Sequence, residues 1–437
     1  MKAAYIVILI AGAWGMAFAQ DPYAEVAALL PQEHAAQRAP IHPLTLADLE
    51  TAALQGNPDI RVAARRMAML EARQPAAGAL DDPQFMYRGW GVPLRQPWNL
   101  NQAMNMFMVS QTLPGAGKRG LRSEIAGEEI EVARAGLEVV RHEVRVQVRR
   151  AYYRLLRHYD QLRVHDEHVA LARQAVEAAR IKYVVGRVPQ QDVLKAQIAL
   201  TRLADHLVQL EQEGELARTD LNALLGRNAG QAMEVAGAYE LPDGLPTLAE
   251  LGPLAEENRP ELAVAARAVR REQARARLAE KAYAPDTTLA AGYMLQPDGS
   301  RFRSTYMAEF SLNLPWLNRR KHEAEIAGAR VELSVQEAEY ESRRVMVLRQ
   351  IQAALSRANA ARRLVAIYRD TMRPQARAVM KAASAAYETD RTDFLNLLDS
   401  QTTALDVEFS YFQALGTLEE RLADLERAVG VPPPGVF

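Results

Sequence analysis

Cysteine is absent from this 437-residue chain, so the protein forms no disulfide bond and lacks the thiol that a bacterial lipoprotein needs. Its 53 lysine and arginine residues nearly balance its 54 acidic residues, which excludes the basic surface of a nucleic-acid binder. No stretch after the first residues approaches the ~20 apolar residues of a membrane-spanning helix. The chain also has no C-x-x-C motif, no HExxH motif and no Ser-His-Asp set. We therefore predict that it is not an enzyme and needs no cofactor.

The first 19 residues have the organisation of a secretory signal peptide. Lys2 supplies the positive charge, an apolar core extends from Tyr5 to Trp14, and Ala17 to Ala19 form an A-x-A cleavage site. Because the apolar core is too short to span a membrane, we predict a cleaved signal and an exported protein. An uncleaved anchor is the alternative.

The second half of the chain repeats the first. The segment Asn57-Pro58-Asp59 matches Arg259-Pro260-Glu261, and Tyr183 matches Tyr387. Such near-constant offsets indicate two copies of one supersecondary unit. The predicted organisation is a signal peptide at 1–19, an N-terminal extension at 20–43, a first repeat at 44–226, a linker at 227–246, a second repeat at 247–430 and a C-terminal tail at 431–437.

Each half is predicted to contain a helix, two strands, a very long helix, a turn and another helix. The predicted strands lie near 84–92, 103–113, 287–295 and 304–314. The predicted helices lie near 45–80, 119–183, 191–225, 248–283, 320–387 and 393–429. The very long helix of each half, with about 65 residues, measures roughly 100 Å, which suits a fibre, a tether or a tube better than a globule.

Apolar and small residues recur at alternating spacings of four and three along the long helices. In the second half they are Val347, Ile351, Ala354, Ala358, Ala361, Val365, Tyr368 and Met372. Their counterparts in the first half are Val144, Val148, Ala151, Leu155, His158, Leu162, His165 and Val169. This spacing predicts closely packed helices with a left-handed supercoil. Pro374 predicts a kink near the end of the second long helix.

The last predicted strand alternates strictly between apolar and polar residues. Tyr306 and Phe310 belong to one face, and Thr305 and Glu309 belong to the other. A membrane-barrel strand and a half-buried strand of a soluble sheet both show this pattern, but export without a spanning helix favours the barrel. Four strands cannot close a barrel, and lipid does not tolerate an open edge, so several copies must combine. Three copies give about 12 strands, although a dimer or a tetramer satisfies the same argument.

Four segments together resemble the TolC-like outer-membrane efflux protein family, also called outer membrane factors. They are Asn57-Pro58-Asp59, the segment 111–120 (QTLPGAGKRG), the tip from Tyr183 to Gln197 and the tip from Tyr387 to Gln401. The match extends over most of the mature chain, in order and in both repeats. The sequence PGAGKRG at 114–120 and Arg373-Pro374-Gln375-Ala376 are most similar to the heavy-metal cation efflux branch.

This resemblance implies a fold, a function and partners. The expected fold is mainly α with a small membrane β-barrel contribution: a homotrimeric barrel of about 12 strands on an α-helical coiled-coil tube. The expected location is the outer membrane of a Gram-negative bacterium, with the helices in the periplasm. The expected function is a passive exit duct for metal cations or small toxic compounds. Its partners would be a periplasmic adaptor (membrane fusion protein) and an inner-membrane transporter, expected to be of the RND type.

Two other functions stay open at this point. Within the same family, the chain could serve type I protein secretion. In a different class, it could be an exported coiled-coil scaffold or an adaptor that transports nothing. An adaptor needs a domain of many short strands, and a scaffold has no use for four alternating strands at repeat-related positions. The predicted elements include no such domain but do include the four strands, so the adaptor and the scaffold are both disfavoured.

The resemblance further implies that the helix tips form the closed periplasmic aperture, where acidic residues attract cations. Asp192 matches the acid of the first tip and Asp399 matches one acid of the second, while Asn396 stands where another acid is usual. Three symmetry copies of one carboxylate near an axis repel each other, raise their own pKa values and concentrate cations. Both aspartates also suit the first turns of ordinary helices. The pore role is favoured for Asp399, and the two interpretations of Asp192 are balanced.

Other tip residues are assigned by comparing the two repeats. Asp390 stands in the second repeat at the position that Gly186 holds in the first. This replacement of a glycine predicts a tighter or differently shaped second turn. Arg187 and Arg391 either pair with the acids or are solvated, and solvation is favoured. The adaptor-docking tips are predicted to include Tyr183, Gly186 and Tyr387.

Three local patterns suggest other chemistry. His165 and His168 share a helix face, as metal ligands do, but the coiled-coil seam favours a structural role. Met104, Met106 and Met108 alternate on one strand; thioethers suit Cu(I), but methionine also packs as adaptable apolar filler, the interpretation favoured here. The glycines at 115 and 117 fail the phosphate-loop pattern and indicate a strand-to-helix turn. We therefore predict no metal site.

Overall fold

A computed structural model of the chain describes residues 43–92, 94–95, 102–298 and 301–434. The predicted signal peptide and nearly all of the N-terminal extension lie outside these residues. In the first half the elements are α1 (Leu46–Gly56), α2 (Pro58–Ala77), β1 (Gln84–Trp90), β2 (Met104–Leu113), α3 (Lys118–Val184) and α4 (Gln190–Leu224). In the second half they are α5 (Leu248–Asn258), α6 (Pro260–Glu280), β3 (Thr287–Asp298), β4 (Arg301–Leu312), α7 (Arg319–Ile367), α8 (Arg373–Glu388) and α9 (Phe394–Val429). No helix within the described ranges is long and apolar enough to cross a membrane.

The predictions of single helices at 45–80 and 248–283 are wrong, because each span is divided by a proline. The Asn57 side chain accepts hydrogen bonds from the backbone N–H groups of Asp59 and Ile60, so it ends α1 and caps α2. A residue before proline avoids the helical region, and proline itself fits the first position of a helix. Arg259 and Pro260 divide α5 from α6 at the equivalent point.

The kink predicted at Pro374 takes another form. Residues Tyr368–Met372 form a π-helical segment that joins α7 to α8. Pro374 follows it in the first turn of α8, where its missing N–H is tolerated. The long helix predicted at 320–387 is therefore interrupted by a wider turn just before the proline.

The four strands form one antiparallel sheet in the order β1-β2-β3-β4. Strands β2 and β3 pair in the centre, with Phe107 opposite Tyr293 and Leu113 opposite Thr287. Strands β1 and β4 each have one edge without a strand partner among the described residues. The observed strands lie within three residues of the predicted bounds at every end.

One face of this sheet is apolar and exposed. Tyr87, Phe107, Tyr293 and Tyr306 occupy one row across the four strands. Tyr306 is 91% exposed, and Phe310 on the same strand is 64% exposed. An apolar, aromatic face directed away from the chain's own core is what a lipid-facing strand requires.

The turn between β2 and α3 is the strand-to-helix connection predicted from its glycines. Gly117 has φ +84°, in the left-handed region that glycine adopts at little cost. The Gly115 N–H donates to Oδ1 of Asp286 at 2.6 Å, and Lys118 Nζ lies 2.8 Å from the same oxygen. Asp286 precedes β3 directly, so the two halves of the chain are tied together at the base of the sheet.

The chain divides into two compact units. The first contains His158–Glu215 and Met372–Phe409; the second contains Pro43–Arg157, Leu216–Thr371 and the segment from Ser410 onward. Each unit has its own apolar core, which includes Leu200 and Phe394 in the first and Ile351 and Leu425 in the second. The predicted seam is confirmed for most of its length. Its buried members are Val144, Val148, Ala151, Leu155, His158, His165, Val169, Val347, Ile351, Ala354, Ala358, Ala361 and Val365.

Candidate functional site

The helix tips lie in the first unit and consist of two turns of the same construction. One turn joins α3 to α4, and its Arg187 N–H donates to the Lys182 carbonyl at 2.9 Å. The other joins α8 to α9, and its Arg391 N–H donates to the Ala386 carbonyl at 2.8 Å. In both turns the preceding residue donates to a carbonyl three positions earlier, which completes the usual left-handed helix ending.

The prediction of a differently shaped second turn is therefore wrong. Asp390 has φ +57°, close to the +74° of Gly186 in the first turn. Aspartate is one of the few residues other than glycine that tolerate this left-handed conformation. It keeps the backbone of the glycine turn and adds a carboxylate that the first turn lacks.

That carboxylate binds two cations from the first tip. Lys182 Nζ lies 2.6 Å from Oδ1 of Asp390, and Arg187 Nη1 lies 2.7 Å from Oδ2. Arg187 thus has an acidic partner in the opposite turn, while its side chain stays 66% exposed. The hydrogen bond from Lys182, with the charges of both cations, lowers the pKa of Asp390 below its ordinary value.

Lys182 also organises the core beneath the tips. Its ammonium group lies 3.9 Å above the centre of the Tyr387 ring and donates to the Tyr387 carbonyl. Tyr387 is only 3% exposed and packs edge-on against Phe394, with ring centroids 5.8 Å apart. Burial, with the charges of Asp192 and Asp390, raises the pKa of the Tyr387 hydroxyl. Of the three residues expected to dock an adaptor, Tyr183 and Gly186 are exposed and Tyr387 is not.

The remaining tip residues are placed on the surface of this unit. Asp192 is half-buried in the first turn of α4, and Asp399 is exposed on the second turn of α9. Asn396 is exposed, and its backbone N–H donates to Oδ1 of Asp393 at 2.9 Å. Within the described part of the chain, the side chains of Asp399 and Arg391 form no ion pair. The structure thus brings Arg187, Asp390 and Tyr387 together with Lys182, and it places Asp192 near enough for its charge to act on the Tyr387 hydroxyl.

The histidines of this unit have the structural role that the seam indicated. His165 is 1% exposed, and its Nε2 lies 2.9 Å from the Leu203 carbonyl. Burial lowers the pKa of His168 and of His206, which favours their neutral forms. Across the described ranges, no group of three or more His, Cys, Asp or Glu side chains is arranged to hold a metal ion.

Lys182 is the tip residue that the sequence comparison missed. Internal repetition offers no signal for it, because the equivalent turn position of the second half is Ala386. A lysine one helical turn before a left-handed helix ending is also an ordinary way to satisfy the helix dipole. Only the approach of the second turn shows that this lysine bridges two hairpins.

Comparisons with known proteins agree with the observed fold. The chain matches the family model described as outer membrane efflux protein over residues 49–227 and 251–431. The cobalt-zinc-cadmium resistance protein CzcC of Cupriavidus metallidurans is 22% identical over 388 residues, which cover 89% of this chain and 90% of CzcC.

Solved structures of outer-membrane channels have the same fold. CusC aligns with a TM-score of 0.75 and 17% identity, covering 92% of this chain and 97% of CusC. VceC from Vibrio cholerae aligns with a TM-score of 0.72 and 17% identity, covering 88% of this chain and 96% of VceC. The outer-membrane channel OprN aligns with a TM-score of 0.71 and 22% identity, covering 88% and 89%. The predicted fold class, mainly α with a small β-barrel contribution, is confirmed.

Proposed function

Because this chain belongs to the outer membrane efflux protein family, we propose that three copies form the exit duct of a tripartite efflux system for metal cations. The observation that carries this proposal is the four-stranded sheet, with its exposed aromatic face and two unpaired edges. Lipid tolerates the aromatic face but not the edges, so each edge must pair with another copy. Three copies give about 12 strands, within the range of known outer-membrane barrels.

The two sequence repeats give each copy its share of the duct. In this proposal the repeat at 44–226 contributes β1 and β2, and the repeat at 247–430 contributes β3 and β4. Channels of this family work with a periplasmic adaptor and an inner-membrane transporter. We assign an RND-type transporter, and we assign metal cations as cargo because CzcC is named for resistance to cobalt, zinc and cadmium.

The helix tips supply the aperture of the proposed duct. Lys182 and Arg187 neutralise Asp390, so that carboxylate acts as a link between hairpins. Among the residues that the structure describes, Asp399 and Asp192 have no such partners, and they supply the negative charge that three copies would gather near the axis. Exposed Tyr183 and Gly186 offer a surface to the adaptor, while buried Tyr387 holds the turn from within. Arg391 and Asn396 flank this surface.

Single-channel recording in a planar lipid bilayer tests the duct and its acids together. We expect discrete channels whose cation preference weakens in Asp399→Ala, because a carboxylate near the narrowest point attracts cations. The matched control is Glu177→Ala, which removes an exposed carboxylate from the same unit and should leave the preference unchanged. Equal selectivity in Asp399→Ala and the control would contradict the aperture assignment and keep the duct.

A duct that is closed at rest would not conduct, so a second variant weakens the ion pairs between Asp390 and the first turn. Asp390→Asn removes the charge that Lys182 and Arg187 bind, and asparagine still tolerates the left-handed backbone. This variant should open more often than the wild type. If neither protein inserts into the bilayer or conducts, the duct is overturned in favour of a scaffold.

A further inference from the structure

The sheet face opposite the aromatic row carries six of the chain's 14 methionines. We call them the methionine patch: Met86, Met104, Met106, Met108, Met294 and Met307. Their shared face follows from the register, because side chains two residues apart along a strand point to the same side. Three of the six were visible on β2 in the sequence, and the sheet adds the other three from β1, β3 and β4.

The register sets these side chains beside one another. Met86 lies opposite Met108, and Met106 lies opposite Met294. Directly opposite residues in an antiparallel pair have Cβ atoms about 5 Å apart, within reach of two thioethers that share one ion. The Gln296 amide nitrogen lies 3.8 Å from Sδ of Met104 and 3.7 Å from Sδ of Met294, so these two sulfurs converge on one point.

Gly292 opens the centre of the patch. It lies between Met108 and Met307 in the register. A Cβ added to Gly292 would come within 2.7 Å of the Phe107 carbonyl oxygen and 3.3 Å of Met108 Cβ. The absent side chain therefore leaves room over the strand for Met307 and Met108. Met108 is 5% exposed, while the other five methionines are half-buried and accessible to an ion.

Charge on the same face decides which ion fits. Arg88 lies opposite Met106, and Arg303 lies opposite Gln296. Glu309 and Asp298 belong to the same face, but they lie opposite Ala290 and Arg301, and neither is paired with one of the six methionines. The arginines next to the methionines disfavour divalent cations, whereas neutral thioethers are ligands for soft metal ions. The patch therefore suits a soft ion of single charge.

We propose that the methionine patch is a binding site for a soft monovalent metal cation, Cu(I) or Ag(I), with Met104, Met106 and Met294 as its principal ligands. The site rests on the proposed duct only for its position on the lumenal face of the barrel. It extends the cargo beyond the cobalt, zinc and cadmium of the relative's name. Weak thioether ligands accessible to solvent would let the ion bind and leave again, as conduction requires.

Equilibrium dialysis with silver(I), an air-stable substitute for Cu(I), tests the site on the purified full chain in detergent. The wild type should bind silver, and Met104→Leu/Met106→Leu/Met294→Leu should bind it about tenfold or more weakly. Leucine preserves volume and apolarity, so the sheet should stay folded. The control is Met69→Leu/Met346→Leu/Met372→Leu, which changes three exposed methionines elsewhere and should bind like the wild type.

A second measurement needs no variant. Silver should shift the methyl NMR signals of Met104, Met106 and Met294 in the wild type and leave that of Met346 in place. Equal silver binding in both triple variants, unshifted patch signals or displacement of silver by equimolar zinc would each overturn the site. Because binding is measured without conduction, silver binding beside silent bilayers would keep the site and overturn the duct. Conducting channels that bind no silver would do the reverse.

Discussion

Glu419 shows how one buried carboxyl group in the second unit affects stability. Its side chain is 0% exposed on α9, and its Oε1 accepts a hydrogen bond from the Glu240 N–H at 2.9 Å. Burial raises the pKa of Glu419 to about 7, from an ordinary value of 4.5. The hydrogen bond from the Glu240 N–H and the charge of Arg149 act against this rise, whereas the charge of Glu240 adds to it. The group is therefore protonated in the folded protein at a pH where the unfolded chain would be ionised.

The sign of the resulting pH dependence follows from proton linkage. The folded state binds more protons between pH 4.5 and about 7, so the free energy of unfolding falls as pH rises through this range. Glu419→Gln should remove about 2–3 kcal/mol of that fall, as measured by denaturation at pH 5 and pH 8. The neighbouring Glu420→Gln serves as the control and should keep the wild-type profile. Parallel profiles for all three proteins would contradict the prediction.

The helix tips show which residue contacts could be predicted from the sequence and which could not. The seam histidines were predictable, because small and apolar residues surround them at a fixed spacing. The partner of Asp390 was not predictable, because Lys182 lies 208 residues away and has no counterpart in the second repeat. The sequence also does not show whether an aspartate in place of glycine keeps the left-handed backbone or changes it. Aspartate adopts the left-handed conformation at a small energetic cost, so the turn keeps its shape.

At the scale of elements, Glu408 holds α8 to α9 in the first unit. It is buried on α9, and its two carboxylate oxygens bind Arg373 at 2.9 Å and Arg377 at 2.7 Å. Arg373 begins α8 directly after the π-helical segment, and Arg377 follows one turn later. The wider turn weakens the backbone hydrogen bonds there. The ion pairs of Glu408 therefore stabilise this end of the helix.

Glu408→Gln leaves two arginines beside an uncharged partner, and one of them is largely buried. Breaking such a pair should cost about 2 kcal/mol locally, and amide hydrogen exchange in the first turns of α8 should quicken about 30-fold. Glu177→Gln is the matched control, because its pair with Arg180 is 3.9 Å long and 61% exposed on both sides. Equal exchange in both variants would show that the π-helical segment needs no such support.

Elements were largely predictable where local chemistry defines them. Alternation fixed all four strands within a few residues, and the 3–4 spacing fixed the long helices. The breaks at Pro58 and Pro260 carried a sequence signal, since a proline after a capping residue begins a helix. The π-helical segment carried none, because its residues resemble those of the flanking helix.

At the scale of the whole molecule, the unpaired edges of β1 and β4 limit how the protein can exist in a membrane. Each outer strand exposes a row of backbone N–H and C=O groups along one edge, as seen in the described part of the chain. Lipid offers these groups no partner, so we expect β4 of one copy to pair with β1 of the next. A single chain cannot reveal the number of copies, because any number that closes the ring satisfies every edge.

The absence of native cysteine makes that number measurable by cross-linking. Tyr87→Cys on β1 is combined in turn with Ser304→Cys, Tyr306→Cys or Ala308→Cys on β4, all on the aromatic face. The combination that matches the register between copies should give a covalent ladder that ends at three chains, because thiols on paired strands lie within disulfide reach. Each single variant should give no ladder, since its cysteines lie on strands that do not pair with each other. A ladder ending at two or four chains would replace the trimer, and no cross-link in any register would mean that the edges do not pair between copies.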